Sequence, residues 1–148
     1  MKKHPVLLFL LLPLLLFGQK KNIDKNLLAV NGYDLVSYFT KENPQKGNAA
    51  YKLSWQGAHY LFVSEEHKAI FKKNPKMYLP AYGGWCAYAM AKGKEVEINP
   101  KAYYIQQGQL LLFYKTSWVD TQAKWIKDKL NLKAKADKVW AKKLVQNN

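Results

Sequence analysis

Two parts of the chain consist of paired stretches rich in apolar and aromatic residues, as in paired β-strands, and residues 50–55 also alternate apolar and polar residues with a period of two. Residues 50–55 and 58–63 form the first pair of such stretches, and residues 102–107 and 109–114 form the second. A short turn containing glycine separates the two members of each pair. The pattern therefore predicts two antiparallel β-hairpins.

Helical patterns follow the first hairpin. Ser64 is a good N-cap residue for a helix that carries Ile70 and Phe71 on its apolar side and ends before Pro75. After a pair of glycines, residues 85–91 are rich in Ala and Met, which favour a second, short helix.

The last part of the chain predicts a helical tail, with Ser117 as a candidate N-cap. Apolar side chains recur there every seven residues, so they would share one face of a helix. Either one long helix or two helices broken near Asn131 satisfies the pattern. We expect this face to pack on the domain rather than to lie on a membrane. Its members are Trp118, Trp125, Leu132 and Val139.

Together these elements predict an α+β fold. The two antiparallel hairpins are expected to share one sheet, with short helices packed on it and a C-terminal helical tail. Residues 1–19 have a basic start and a short apolar run, as in a signal peptide, and residues 20–148 then form a single domain. No second long apolar run occurs, so we expect no membrane span after signal cleavage and a periplasmic or secreted location.

The charge of the chain comes entirely from lysine. All 24 basic residues are Lys, against 10 acidic residues, for a formal net charge of +14. Without Lys2 and Lys3 the charge is +12, enough to attract anionic partners. Nucleic acid is an improbable partner, because arginine, the usual side chain for phosphate and guanine recognition, is absent.

Candidate chemistry is sparse and centres on Cys86, the only cysteine. A single cysteine forms no disulfide within the chain, so the fold depends on packing. The sequence contains no CxxC, HExxH, GxSxG or phosphate-binding GxxxxGK motif. At the start of a helix, backbone N–H groups favour a thiolate, which can bind a soft metal or act as a nucleophile. The alternative is a small apolar side chain buried in the core.

His59 and His67 are the histidines outside the predicted signal peptide. His59 follows the first hairpin turn, and His67 lies on the same side of its helix as Ile70 and Phe71. If the fold brings both to Cys86, the three side chains form a metal site suited to copper or zinc. A cysteine nucleophile would also need one of them as its base, so a binding module is favoured over an enzyme.

Residues 51–93 resemble the YHS domain. The resemblance rests on "F-x-S" at the end of the first hairpin, on "F-x-x-N-P-x-x-Y-x-P" at residues 71–80 and on "YGGWCAYA" at residues 82–89. The flanking "NGYDLVSYF" and "NPKAYYIQQGQLLLFY" are similar to segments of exported bacterial YHS proteins, so the likeness covers nearly all of residues 20–148.

The resemblance implies a metal site, but this chain differs from the metal-associated relatives at one position. YHS domains occur in copper-transporting ATPases and in some oxygenases, where paired cysteines are suspected metal ligands. Where those relatives have "F-C-S", this chain has Val63 between Phe62 and Ser64, so one cysteine of the pair is missing. The motif positions that carry over as candidate ligand-binding residues are Asp34, Tyr82, Gly83, Gly84 and Cys86.

Two functions are therefore expected from the sequence. The first is a small exported binding module for copper or another soft metal, with Cys86, His59 and His67 as ligands. The second is a domain for a small organic ligand, with Tyr82, Trp85 and Tyr88 in the walls of the pocket and Cys86 buried. A structural or interaction protein that docks an acidic partner through its basic tail is a further alternative; no protein partner is identified.

Overall fold

The structure, a computed structural model, describes residues 20–41 and 43–146. The signal peptide expected over residues 1–19 lies outside these residues and stays a prediction. The elements follow the chain as a 3-10 turn at Val30–Gly32, α1 Ser37–Thr40, β1 Asn48–Trp55, β2 Ala58–Phe62, α2 Glu65–Lys73, α3 Pro75–Tyr78, a 3-10 turn at Ala81–Gly84, α4 Ala87–Met90, β3 Asn99–Gln106, β4 Gln109–Phe113, α5 Thr121–Lys127 and α6 Lys129–Gln146.

Both predicted hairpins are confirmed. Strand β1 pairs antiparallel with β2, and β3 pairs antiparallel with β4. Each turn has two residues with positive φ, of which the second is glycine. That geometry matches the right-handed twist of the flanking strands and explains the tight reversal. The α+β class is therefore confirmed.

The strand pairing groups the hairpins as two two-stranded sheets, β1-β2 and β3-β4. An isolated bridge joins Pro80, which precedes the second 3-10 turn, to Leu110 of β4. The single sheet expected from the sequence therefore stays a prediction.

Helix α2, which follows the first hairpin, begins at the predicted N-cap. The Ser64 hydroxyl accepts a hydrogen bond from the His67 backbone N–H (3.1 Å), and α2 ends at Lys73 before Asn74 and Pro75. Phe71 of α2 is fully buried and contacts the aromatic rings of β1 and β2, with centroid distances of 5.1 Å to Tyr60 and 5.2 Å to Phe62. This ring cluster fixes α2 against the first hairpin.

The C-terminal tail forms two helices, and α5 ends at Lys127, with Asp128 between it and α6. The N-cap of α5 is Asp120, whose carboxylate accepts a hydrogen bond from Ala123 N–H (2.8 Å), so the prediction of Ser117 as the cap was wrong. An aspartate closer to the apolar stripe supplies the acceptor instead. None of the described helices is long and apolar enough to cross a bilayer.

The predicted apolar stripe of the tail is only partly buried. Trp125 is 0 % exposed, and its indole N–H donates to Gln106 (2.9 Å), which ties α5 to β3. Leu132 is also buried, whereas Trp118 is 95 % exposed. Trp118 precedes the true N-cap of α5, so the helical period does not extend to it.

The two tryptophans form a matched pair for testing this packing. We expect Trp125→Ala to lower the free energy of unfolding by about 3–5 kcal/mol, because it leaves a large cavity and an unpaired Gln106. Trp118→Ala is expected to change it by less than about 0.5 kcal/mol. Urea unfolding followed by circular dichroism measures both. Equal effects of the two substitutions would contradict the arrangement.

Candidate functional site

A cleft of about 880 Å³ lies between the turn of the first hairpin and helix α6. Its size is typical of a pocket for a small organic molecule. The second 3-10 turn, at Ala81–Gly84, and the end of α3 lie between these two walls. The lining residues that matter below are Lys21, Val30, Trp55, Lys76, Tyr82, Gly83, Asp137, Trp140 and Ala141.

Tyr82 is held firmly in the cleft. It is 4 % exposed, its hydroxyl donates a hydrogen bond to the Asp137 carboxylate (2.8 Å), and its ring lies edge-on to Trp140 (6.4 Å between centroids). Burial, followed by the hydrogen bond to Asp137, raises the pKa of Tyr82 well above its ordinary value of 10.0. The hydroxyl is therefore a neutral hydrogen-bonding group in the folded protein.

The glycine after Tyr82 allows the chain to pass close to two neighbours. Gly83 has a φ of +63°, and a Cβ at this position would lie 2.5 Å from the Lys20 carbonyl oxygen and 3.0 Å from the Trp140 ring. The Gly83 carbonyl also accepts a hydrogen bond from Asn22 N–H (2.8 Å). Only glycine combines this backbone conformation with so close an approach.

Two larger residues that line the cleft have strained backbones. Val30 has a φ of 50° and Tyr82 a φ of 56°, in the left-handed region that L-residues rarely adopt. Such a conformation is a real outlier for β-branched valine. Each of the two strained residues costs on the order of 1–3 kcal/mol of stability, and strain of this kind is concentrated at ligand clamps and active sites.

Lysine supplies the free positive charge of the cleft. Lys21 hydrogen-bonds the Gln56 carbonyl oxygen and lies over the Trp55 ring (5.7 Å to the centroid), and its partial burial lowers its pKa. Lys76 is exposed on α3. The one carboxylate of the lining, Asp137, is already bound by Lys133 through both oxygens (2.8 Å each).

Cys86 lies outside this lining and is fully buried between α4 and β4. Tyr114 N–H donates to its sulfur (3.3 Å), and the sulfur lies 3.5 Å from the Thr121 hydroxyl oxygen. The Thr121 hydroxyl proton is used, because that group donates to the Tyr114 carbonyl (2.6 Å). The thiol is therefore the donor to Thr121, and the three groups form a closed ring of hydrogen bonds.

The candidate metal ligands have separate partners. His59 Nδ1 pairs with the Ser54 hydroxyl across the first hairpin (2.8 Å), whereas His67 Nδ1 pairs with Asp34 (2.7 Å). Between residues 20 and 146, residue 42 apart, no group of three or more His, Cys, Asp or Glu side chains could hold a metal ion. The Cys86, His59 and His67 set therefore does not fit a bound copper or zinc ion.

Asp34 binds protein groups rather than facing the cleft. Its carboxylate is fully buried and accepts hydrogen bonds from Val36 N–H, Ser37 N–H, Val63 N–H and His67 Nδ1, at 2.7–3.2 Å. It caps the turn that precedes α1 and also joins that turn to the end of β2 and the start of α2. Its role in the described residues is to hold these elements together.

The remaining candidates lie beside the cleft. The Gly84 carbonyl accepts a hydrogen bond from the Asn22 side chain (3.2 Å), which helps to fix the 3-10 turn. Trp85 is half-buried against a core cluster that includes Phe113 and Trp125, and its indole nitrogen has no hydrogen-bond partner among the described residues. Tyr82 and Gly83 are thus the two sequence-predicted ligand-binding residues that line the cleft.

Sequence reasoning missed most of the lining. Lys21, Val30, Trp55, Lys76 and Trp140 come from five separate parts of the chain, and no local pattern relates them. The one available signal was the pair of glycines next to Tyr82, because paired glycines indicate a close approach of the backbone to other groups.

Comparison with known proteins gives one family, the YHS domain, which matches residues 36–82. The resemblance found in the sequence is confirmed for these residues. The match ends at Tyr82, so it includes the hydrogen-bond partners of Asp34 and much of the cleft lining, such as Trp55, Lys76 and Tyr82, but not Cys86. No curated protein and no solved structure matches the chain.

The buried thiol should be protected from reagents in solution. We expect Cys86 to react with 5,5′-dithiobis(2-nitrobenzoate) at least about 100-fold more slowly in the native protein than in urea, because the sulfur must first be exposed by local or global opening. Absorbance at 412 nm measures the rate. Native labelling as fast as that of the unfolded chain would contradict the closed ring around the sulfur.

Asp34 should be far more important for stability than an exposed aspartate of similar local geometry. Asp34→Ala leaves three donors without an acceptor, namely Val36 N–H, Val63 N–H and His67 Nδ1–H, while Ser37 N–H keeps the carbonyl of residue 34. We therefore expect a loss of about 3 kcal/mol or more. Asp24, which accepts hydrogen bonds from Asn26 and Leu28 N–H at the surface, is the control. We expect Asp24→Ala to cost about 1 kcal/mol or less by urea unfolding. Similar losses would disprove the role of Asp34.

Proposed function

Residues 36–82 of this chain belong to the YHS domain family, and from that premise we propose that the protein is a small exported binding module whose site is the cleft at Tyr82 and Gly83. The occupant is a small organic molecule. Cys86 is part of the core beneath the second hairpin and does not touch the occupant.

The observation that carries this proposal is the composition of the cleft. Trp55 from the first hairpin and Trp140 from α6 both line it, together with Tyr82, whose ring lies edge-on to Trp140. Aromatic side chains provide a large apolar contact area, and they lose little conformational freedom when a ligand binds. A pocket with apolar walls and a few polar groups is the usual form of a small-molecule site.

The strain at Val30 and Tyr82 supports the same site. The surrounding contacts maintain two unfavourable backbone conformations in one cleft, and a protein without a use for that shape would gain stability by relaxing it. Hydrogen bonds fix the segments to which both residues belong. Tyr33 N–H donates to the Val30 carbonyl (3.0 Å), and Trp85 N–H donates to the Tyr82 carbonyl (3.2 Å). The cleft is therefore preformed.

Soft-metal binding is the second candidate, and the family association supports it. Copper at Cys86 would have to replace the hydrogen bonds of the sulfur with Tyr114 and Thr121, and the described residues form no group of three or more His, Cys, Asp or Glu side chains that could hold the ion. The organic ligand is favoured because its site needs no such rearrangement.

Binding of a neutral aromatic probe tests the proposal. N-phenyl-1-naphthylamine has 17 non-hydrogen atoms, and at about −0.3 kcal/mol per atom it should bind with a Kd on the order of 0.2 mM or below. Its fluorescence rises in an apolar site. We expect saturable binding that Ala141→Trp abolishes, because Ala141 lines the cleft on α6 and the added indole fills it.

Ala134 provides a matched control, since it is exposed on the same helix and does not line the cleft. Ala134→Trp should bind the probe as the parent protein does. The proposal fails if no saturable binding is found, or if the two substitutions reduce binding equally. Copper(I) titration of the parent protein and of Cys86→Ala tests the second candidate separately.

A further inference from the structure

The charges of the cleft limit the kind of molecule that it can hold. The lining contains two cations, Lys21 and Lys76, and one carboxylate, Asp137. Asp137 is neutralised, because Lys133 binds both of its oxygens and Tyr82 donates to one of them. The electrostatic field that remains in the cleft is therefore positive.

The two lysines differ in how much of their charge is available. Lys21 already hydrogen-bonds the Gln56 carbonyl and lies over Trp55, but an ammonium has three donors, so part of its capacity remains. No ion pair or hydrogen bond of the Lys76 ammonium is found with the described residues. Lys76 is thus the stronger candidate to bind an anionic group.

Aromatic rings also line the cleft, and one of them lies beside Lys21. Trp55 lies under Lys21, and Trp140 lies against Tyr82 and the backbone of Gly83. A ligand with a flat apolar body fits between such rings, and an anionic group at its end meets the lysines. A neutral ligand would leave the positive charge uncompensated, and a cationic ligand would be repelled.

We propose that the ligand of the cleft is a flat, largely apolar molecule with an anionic group, held by the Trp55, Tyr82 and Trp140 rings and by the Lys76 and Lys21 ammonium groups. This inference rests on the proposed function of the cleft. The anionic group is a carboxylate or a phosphate ester, because both accept hydrogen bonds from ammonium groups.

Three probes with one apolar body test the inference: biphenyl-4-carboxylate, biphenyl-4-carboxamide and 4-biphenylyl phosphate. We expect both anions to bind more tightly than the amide when measured by isothermal titration calorimetry. The difference should decrease as the salt concentration rises, because ions screen the lysines. Whichever anion binds more tightly identifies the anionic group of the natural ligand.

Lys76→Gln should weaken binding of the preferred anion about two- to fivefold and leave binding of the amide unchanged, since glutamine keeps most of the length of the side chain and its polarity but removes the charge. Lys72→Gln is the control, because Lys72 is an exposed lysine of α2 outside the lining. It changes the net charge equally and should leave both affinities unchanged.

The results separate this inference from the proposed function. If the amide binds as tightly as both anions, the anionic ligand is disproved while the cleft remains a binding site. If the two lysine variants weaken anion binding equally, the effect is one of net charge and the assignment of Lys76 is overturned. If none of the three probes binds, the proposed function fails as well.

Discussion

One buried carboxylate holds together the part of the molecule on which the cleft depends. Asp34 is 0 % exposed and accepts four hydrogen bonds from three segments, namely the turn before α1, the end of β2 and the start of α2. A buried carboxylate is costly unless its hydrogen-bonding capacity is met, so the three segments must keep this arrangement. The first hairpin and α2 are thereby fixed relative to each other, and residues of the hairpin and residues that follow α2 line the cleft.

Hydrogen bonds within the core also account for the burial of the single cysteine. Cys86 N–H donates to the Val96 carbonyl, and its sulfur closes a ring of hydrogen bonds with Tyr114 and Thr121. A thiol that has both a donor and an acceptor in the core contributes to packing and to the placement of α5. The family's association with metals therefore does not transfer to this thiol by position alone, since the paired cysteine is replaced by Val63.

Local patterns predicted the local structure well. Both hairpins follow from apolar stretches on either side of a glycine turn, and the Ser64 cap and the end of α2 before Pro75 follow from capping and the restriction before proline. The start of α5 was misplaced because Ser117 and Asp120 are both capping residues, and the choice depends on where Trp125 must be buried. The contacts of Tyr82 with Asp137 and Trp140 cross more than 50 positions, and no periodicity encodes them. The cleft could be predicted only through its glycines, whereas its lysines and tryptophans are related by the fold alone.

Nuclear magnetic resonance with a bound neutral aromatic probe tests the location of the site most directly. In ¹H–¹⁵N spectra titrated with N-phenyl-1-naphthylamine, the account predicts shifts of the Gly83 amide and of the indole N–H groups of Trp55 and Trp140, with the Tyr114 amide beside the Cys86 sulfur unchanged. Shifts concentrated at Cys86 and Tyr114, with the two indoles unaffected, would contradict it.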